Sequence, residues 1–377
     1  MQPATILAPN GGALYRDLRL DACRGIALWF IFLDHVPNNI MSWLTLRNYG
    51  FSDATEVFVF ISGYTCMLTY GAALQRQGWL VTTVRALRRS WQIYVGFLLL
   101  VLFYLALVQA VSGGLYADHT NTRVFFDAPG ATLLRVVTMQ YTPVNTDILP
   151  TFVLFHLMFP ALLWLLRRAA TLTLAGSILV YGLVQAYGWN LSAWPNGKLF
   201  FNPLAWQLLF VFGAWYAQHG ADRLKAVLRS PAVLTAAIIY LLFSLVVVLS
   251  WQVDAAGQFV PEALSDLLYP IDKSNLAPPR LMHFLALGVI ALHVVTRRWH
   301  GLFTPPIIAS IRCGENSLPI YCISVLLSFL GHILLTDISS SIPMQIVVSL
   351  TGIAMMIGAA TLITRATAIR GRGPKLF

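Results

Sequence analysis

The feature that most constrains this chain is a series of apolar stretches long enough to cross a membrane. A helix needs about 20 mainly apolar residues to span the hydrocarbon core of a bilayer. Ten stretches meet this requirement: 21–44, 52–74, 91–112, 150–167, 171–189, 203–219, 231–251, 280–297, 316–335 and 342–363. Only 11% of the 377 residues are charged, whereas soluble domains average about 25%. The sequence therefore predicts an all-α polytopic membrane protein, with about ten transmembrane helices in one integral-membrane domain over residues 1–377.

Basic residues are unevenly divided among the segments that join these stretches. With the N-terminus inside, 19 of the 25 Lys and Arg residues fall in cytoplasmic segments and six fall in outer ones. The outer six are Arg47, Arg123, Arg135, Lys198, Lys273 and Arg280. Cytoplasmic loops of membrane proteins carry such an excess, so we predict that both termini and the first 20 residues are cytoplasmic. The net charge of +10 then reflects basic loops, and no nucleic-acid partner is expected.

The cysteines indicate neither a metal site nor a disulfide framework. Cys23, Cys66, Cys313 and Cys322 all lie in or beside apolar stretches. No two of them have the spacing of metal ligands. We therefore interpret them as structural thiols and expect no metal.

The first apolar stretch carries the most unusual residues, because Asp21, Arg24, Asp34 and His35 all lie within it. On a helix, Arg24 and His35 share one face and lie about 16 Å apart along the axis. Ionisable groups inside membrane helices are costly and usually functional. Neutral histidine is an effective general base near pH 7, which makes His35 the leading catalytic candidate. The alternative is a polar stripe that joins helices by hydrogen bonds.

Asp34 is the second catalytic candidate, although its role is less defined. It lies about 100° around the helix from His35, so the two side chains should not pair directly. Asp34 could instead orient a group on another helix or bind the acceptor.

Polar residues elsewhere suggest binding sites on both sides of the membrane. The basic cluster Arg85, Arg88 and Arg89 precedes the third stretch and could bind phosphates, but positive-inside anchoring would explain it equally well. Asn316 and Ser317 begin a helix on the predicted inner side, where helix capping is the alternative role. Side chains that suit a carbohydrate lie toward the outer side: Glu56, Asp147, Trp206, Gln207, Lys273, Arg280, His283 and His332.

Three motifs in order resemble those of the acyltransferase-type-three membrane proteins. They are Leu20-Asp21 with Arg24-Gly25 and His35, then Phe58-Val-Phe-Ile-Ser62-Gly63-Tyr64, then Arg85-Ala-Leu-Arg88-Arg89. Further segments resemble a narrower branch, the OpgC family. These segments are Arg16-Asp-Leu-Arg19-Leu-Asp21, Asp34-His35-Val-Pro37-Asn38, Asp147-Ile-Leu-Pro150, 201–210, 272–280 and Asn316-Ser317-Leu-Pro-Ile-Tyr321. The resemblance runs over nearly the whole chain.

The resemblance implies a role for each group of residues. His35 would be the catalytic base, while Arg24 and the cluster Arg85, Arg88 and Arg89 would hold coenzyme A. Asn316 and Ser317 are assigned to the same cofactor. The outer residues would bind the sugar and the succinyl carboxylate, for which Lys273 or Arg280 is the expected partner. The distance of about 16 Å between Arg24 and His35 is one that an extended pantetheine arm could bridge.

Such a family member would be a bacterial inner-membrane O-succinyltransferase. It would move a succinyl group from cytoplasmic succinyl-CoA to glucose hydroxyls of a periplasmic glucan, by direct attack of the hydroxyl on the thioester. A covalent acyl-enzyme is the less favoured alternative, because no Ser or Cys lies beside His35 in the sequence. The expected partners are the glucan and membrane lipid, and a homodimer is left open.

Two other functions remain in competition. The same fold could transfer acetyl groups to another extracellular polysaccharide, because the donor's extra charge is the main distinction. A transporter or flippase could use Arg24 and His35 as part of an ion or substrate path. A purely structural scaffold is hard to reconcile with the ionisable groups of the first stretch.

Overall fold

The computed structural model describes residues 17–112, 115–253, 260–295 and 300–369. It is 81% helical, and the described ranges contain no strands. The principal helices are α1 (Leu18–His35), α2 (Ala54–Ser112), α3 (Arg123–Asp127), α4 (Pro129–Val137), α5 (Ile148–Tyr187) and α6 (Pro203–Trp215). They continue with α7 (Ala221–Arg223), α8 (Lys225–Leu228), α9 (Pro231–Gln252), α10 (Glu262–Leu268), α11 (Pro278–Val294), α12 (Pro305–Glu315), α13 (Ser317–Ile333) and α14 (Ile342–Ile369). The all-α prediction is confirmed for these residues.

Five of the described helical segments are long and apolar enough to cross a membrane. They are Ala54–Val111, Ile148–Tyr187, Pro231–Gln252, Ser317–Ile338 and Ile342–Ile369. The count of ten spans and the cytoplasmic location of both termini stay predictions. Several basic residues used for the orientation lie outside the described residues: Arg16, Arg297, Arg298, Arg370, Arg372 and Lys375.

The helix α2 consists of two segments that meet at Gly78. A straight helix of 59 residues would be about 90 Å long, about three times the thickness of a hydrocarbon core. Gly78 has φ 76° and ψ 179°, a conformation that glycine adopts without steric cost. Tyr70 and Arg89, from opposite sides of this break, line one cavity. The two segments therefore lie side by side, and a single residue makes the turn. Residues 75–90, which join the predicted stretches 52–74 and 91–112, are otherwise helical.

The helix α5 folds back in the same way at Ala169 (φ −148°, ψ 60°). Thr151, near its start, donates a 2.8 Å hydrogen bond to the Phe201 carbonyl. Gln185, near its end, bonds the Asn275 carbonyl at 2.7 Å, and Asn275 in turn bonds Asn202 at 2.8 Å. Both ends of α5 therefore meet the same group of loops, in agreement with two separate stretches at 150–167 and 171–189.

The helix α1 ends at His35, so the predicted stretch 21–44 is too long by nine residues. Pro37 lacks a backbone donor and disfavours helical geometry in the residue before it. Val36 is accordingly extended, and the chain continues as 3-10 turns over Ile40–Leu44 and Leu46–Asn48. His35 therefore occupies the end of a helix rather than its middle.

The helix α12 packs tightly along α1, although the sequence interpretation treated its residues as an inner connection. A methyl group added to Gly25 would lie 1.8 Å from the Ser310 carbonyl oxygen. One added to Gly314 would lie 1.9 Å from the Asp21 carbonyl oxygen. The two backbones can approach this closely only because both positions are glycine. This contact fixes the position of α1, and with it the positions of Arg24 and His35.

Candidate active site

Two cavities beside α1 define the candidate site, and we name them for the predicted sides of the membrane. The inner cavity, of about 210 Å³, is enclosed by α1, both segments of α2, α5 and the junction of α12 with α13. The outer pocket, of about 730 Å³, lies at the end of α1 against the turns that follow it. Arg24 lines the inner cavity and Asp34 lines the outer pocket. One helix therefore contributes an ionisable group to each.

The inner cavity brings together two of the predicted phosphate-binding arginines. Arg24 donates a short hydrogen bond from Nη2 to the Thr65 hydroxyl on α2. Arg89, from the second segment of α2, lines the same cavity, as does Glu315. Arg85 is half-buried and Arg88 is exposed, and neither lines this cavity. Of the three arginines in the basic cluster, only Arg89 therefore lines the same cavity as Arg24.

Asn316 and Ser317 lie where α12 meets α13. Asn316 donates from Nδ2 to the Thr364 hydroxyl at 2.9 Å and to the Arg312 carbonyl at 3.0 Å. The bond to Thr364 connects the junction to α14, whereas the bond to Arg312 stays within the last turn of α12. Ser317 lines the inner cavity, so it is the better placed of the two for contact with a cofactor.

A cysteine and a histidine that sequence reasoning missed also line the inner cavity. Cys66 Sγ lies 3.5 Å from His156 Nε2, and both residues are buried. His156 Nδ1 lies 2.9 Å from the Phe152 carbonyl. A carbonyl can only accept, so Nδ1 carries the proton and the lone pair of Nε2 faces the thiol. His156 lies in a strongly apolar stretch and its partner is 90 residues away, so spacing gave no signal.

Beyond α1, two acids and two bases form a group that we name the acid–base cluster: the buried Asp53, Glu56 and Arg280 and the half-buried Lys273. Asp53 Oδ2 accepts from Lys273 Nζ at 2.6 Å and from Arg280 Nη2 at 3.0 Å. Arg280 Nε also donates to Glu56 Oε1 at 2.7 Å. The formal charges of the four groups balance, as burial requires.

Asp53 was missed in the sequence, although a local signal marks it. Its Oδ1 accepts from the Thr55 backbone N–H at 2.8 Å, and Glu56 bonds back to the Asp53 N–H at 2.9 Å. This reciprocal pattern is a capping box at the start of α2. An acid three residues before Glu56 could therefore have indicated the helix start and the carboxylate pair.

His35 lies close to this cluster. Its ring lies within electrostatic range of Lys273 and Asp53 of the cluster, and of Arg47. Its Nδ1 atom is buried and has no hydrogen-bond partner among the described residues. Buried polar atoms nearly always have a partner, so this nitrogen is a place where a ligand hydroxyl could bond. The ring itself lines neither the inner cavity nor the outer pocket.

Asp34 faces the outer pocket rather than His35. Its Oδ1 accepts from the Thr45 hydroxyl at 2.7 Å, and its carbonyl accepts from Arg47 at 3.4 Å. The expectation that the two neighbours do not pair with each other agrees with these bonds.

Trp206 and His283 form hydrogen bonds with the backbone at or beside members of the cluster. Trp206 Nε1 donates to the Lys273 carbonyl at 3.2 Å, which holds the lysine backbone. His283 Nδ1 accepts a hydrogen bond from the backbone N–H of Ser52 at 3.3 Å, and Ser52 is the residue directly before Asp53.

The remaining predicted outer residues have hydrogen bonds or ring contacts with residues outside the cluster. Gln207 bonds the Ser177 hydroxyl at 2.6 Å, and His332 packs edge-on to Tyr116 with ring centroids 5.2 Å apart. Asp147 accepts from the Thr142 hydroxyl at 2.6 Å. Burial raises the pKa of Asp147 to about 6, although the Thr142 hydrogen bond opposes the shift.

Comparison with known proteins gives one result. The family model described as OpgC protein matches residues 16–368, nearly the whole chain. No curated protein and no solved structure matches the chain. The matched range contains both cavities and the acid–base cluster, so every candidate site residue lies within it.

Proposed function

The chain belongs to the OpgC family, and from this premise we propose that it is a succinyl-CoA-dependent O-acyltransferase of a periplasmic glucan. Membership suggests an acyltransferase that modifies glucans, and the apolar helices fit a membrane protein. The finer proposal is that the enzyme lies in the bacterial inner membrane with both termini cytoplasmic. It takes its donor from the cytoplasm and its acceptor from the periplasm. The observation that carries the proposal is the partnerless, buried Nδ1 of His35 at the outer end of a helix that also supplies Arg24 to the inner cavity.

On the donor side, Arg24 and Arg89 bind phosphates of coenzyme A in the inner cavity. Guanidinium groups bind phosphate through paired, charge-assisted hydrogen bonds. Arg85 and Arg88 lie earlier on the same helix segment and attract the remaining phosphates electrostatically. The pantetheine arm then runs along α1 for about 16 Å toward His35. Because His35 lines neither cavity, the arm must displace the side chains that separate them.

At His35 the reaction is a direct acyl transfer. The imidazole removes the proton of a glucose hydroxyl, and the oxygen attacks the carbonyl carbon of the thioester. The tetrahedral intermediate collapses with cleavage of the carbon–sulfur bond. The imidazolium then returns the proton to the departing thiolate, so the enzyme ends unchanged and the products are the succinyl ester and free coenzyme A.

Lys273 is the better candidate for the succinyl carboxylate. Its side chain is 29% exposed, against 10% for Arg280. Arg280 is already engaged by both acids of the cluster, whereas an ammonium group has three donors and Lys273 uses one on Asp53. We expect Lys273→Ala to lose preference for succinyl-CoA over acetyl-CoA. Unchanged preference in both Lys273→Ala and Arg280→Ala would contradict this assignment and favour an acetyl donor.

The base is tested with purified protein, labelled succinyl-CoA and glucan. We expect His35→Ala to lower transfer by about 100-fold or more, as removal of a general base does. Saturable binding of succinyl-CoA should persist, because the phosphates bind at the other end of α1. His293→Ala is the matched control, since His293 Nδ1 bonds its own helix at the Val289 carbonyl. Near-normal transfer by His35→Ala would contradict the mechanism.

A further inference from the structure

We propose that the outer pocket is the subsite that binds the neutral glycan acceptor. The inference rests on the proposed function, because it names the acceptor site of that reaction. The pocket is formed by three distant parts of the chain. These parts are the segment from Asp34 to Asn48, the end of α9 at Gln252, and the start of α14 at Ile342 and Gln345. Apart from Asp34, none of these residues was among the candidates from the sequence.

The lining suits a polyhydroxylated ligand. Five amide side chains contribute to the pocket: Asn38, Asn39, Asn48, Gln252 and Gln345. An amide both donates and accepts hydrogen bonds, as does each hydroxyl of a sugar. Trp43 adds an aromatic surface, against which the C–H face of a pyranose ring can pack. The volume of about 730 Å³ falls within the range of about 300–1,000 Å³ typical of ligand sites.

Hydrogen bonds hold several of these amides in place. Asn48 Nδ2 donates to the Ser42 carbonyl at 2.8 Å, and Asn48 Oδ1 accepts from Gln252 Nε2 at 3.1 Å. Gln345 Oε1 accepts from the Ile40 backbone N–H at 2.7 Å. The polar groups of three chain segments are therefore ordered before a ligand arrives. Such preorganisation lowers the entropic cost of binding.

Charge distinguishes this pocket from the donor site. Its ionisable side chains are Asp34 and Arg47, whose formal charges cancel. The inner cavity is lined by two arginines and one glutamate. An amide-rich pocket with balanced charges favours a neutral sugar over the phosphates of a nucleotide. No excess positive charge is present to offset the free-energy cost of desolvating the phosphates.

The position of the pocket gives Asp34 a role. Its Oδ1 accepts one hydrogen bond from Thr45, and a carboxylate can accept about four. Asp34 directly precedes His35 in the sequence, so a sugar hydroxyl bonded to Asp34 would lie at the same end of α1 as the proposed base. We therefore assign Asp34 to positioning the acceptor, and not to proton transfer.

The test measures acceptor and donor constants separately in Trp43→Ala and Gln252→Ala. We expect Trp43→Ala to raise the KM for glucan about tenfold or more, and Gln252→Ala to raise it less. The KM for succinyl-CoA should stay unchanged in both. Trp43→Phe, which keeps an aromatic face, should recover most of the affinity. Trp189→Ala is the matched control, because this exposed tryptophan lies on another loop and stacks on Tyr187. Unchanged glucan KM in both pocket variants would overturn the proposal.

A direct binding assay separates failure of this inference from failure of the proposed function. The probe is a linear neutral glucose oligosaccharide titrated into the purified full chain without donor. Suppose that the protein binds the oligosaccharide, that Trp43→Ala weakens this binding, and that no succinyl group is transferred. This result supports the subsite and contradicts the transferase. Transfer that proceeds with unaltered oligosaccharide binding in Trp43→Ala supports the transferase and contradicts the subsite. Unchanged succinyl-CoA binding by Trp43→Ala verifies that the variant is folded.

Discussion

The inner cavity and the outer pocket lie along the same helix but differ in both size and charge. The inner cavity is about 210 Å³ and includes Arg24 and Arg89, whereas the outer pocket is about 730 Å³ and its charges balance. Apolar and aromatic side chains such as Phe58, Ile93 and Phe152 enclose the first. Amides surround the second. This difference agrees with the proposal that one end of α1 binds an anion and the other binds a neutral polar ligand.

The helix α1 couples the two regions. α1 contributes to both, and its close contact with α12 fixes its position. The acid–base cluster then ties the start of α2 to α11 beside His35. Variants that move α1 should therefore damage both regions, while variants within one region should affect one ligand only.

The largest effect is expected from Gly25→Ala, which should damage both regions at once. The added methyl group would lie 1.8 Å from the Ser310 carbonyl oxygen, so α1 and α12 must separate. Overpacking of this kind costs about 1–3 kcal/mol or more. We expect a lower melting temperature and loss of affinity for both succinyl-CoA and glucan. Gly288→Ala is the control, since nothing lies within 4 Å of its added methyl group. Equal stability of the two variants would show that α12 does not fix α1.

A smaller and selective effect is expected from Arg89→Ala. Removal of one guanidinium from the inner cavity should raise the KM for succinyl-CoA about tenfold, because a hydrogen bond between charged groups is worth about 1.5–3 kcal/mol. The KM for glucan should not change. Arg76→Ala is the matched control, because Arg76 is exposed on the other segment of α2 and does not line the cavity. If Arg76→Ala weakens donor binding as much as Arg89→Ala, the inner cavity is not the principal phosphate site.

The smallest effect is expected from Asp147→Asn, and it should depend on pH. The pKa of Asp147 is raised to about 6, from about 3.9 in an unfolded chain. The native state therefore retains a proton that the unfolded chain loses, and stability falls as pH rises from about 4 to about 6. Asparagine does not titrate, so this fall in stability with pH disappears. Its side-chain carbonyl can still accept the hydrogen bond from the Thr142 hydroxyl. The melting temperature of Asp147→Asn should exceed that of the wild type at pH 7.5 but not at pH 4. An equal difference at both values would contradict the assignment.

Much of the helical architecture could be predicted from apolar length alone. Residues that span a bilayer must be apolar over about 20 positions, and this pattern located α9, α13 and α14 closely. Arg24 and His35 were found because ionisable residues in such a stretch are rare. The predicted stretch 21–44 continued through Pro37, whereas α1 ends two residues before it, at His35.

The rest depended on contacts that no local pattern encodes. The turn at Gly78 is a single residue, and a lone glycine in the sequence does not indicate that the two segments of α2 fold against each other. Asp53 meets Lys273 and Arg280 across more than 200 residues of sequence. The outer pocket likewise joins Asn48 to Gln252. Periodicity identifies which face of a helix is apolar but does not identify its neighbours.

In the proposed reaction, a donor held at the inner cavity acylates an acceptor that enters from the other side of the membrane. Proteoliposomes with one protein orientation test it directly, with labelled succinyl-CoA on the cytoplasmic face only and glucan on the opposite face only. We expect labelled glucan to form, with coenzyme A remaining on the donor side, and we expect His35→Ala vesicles to form none. Labelled succinyl-CoA crossing intact to the glucan side, or transfer only when both substrates share one side, would contradict the account.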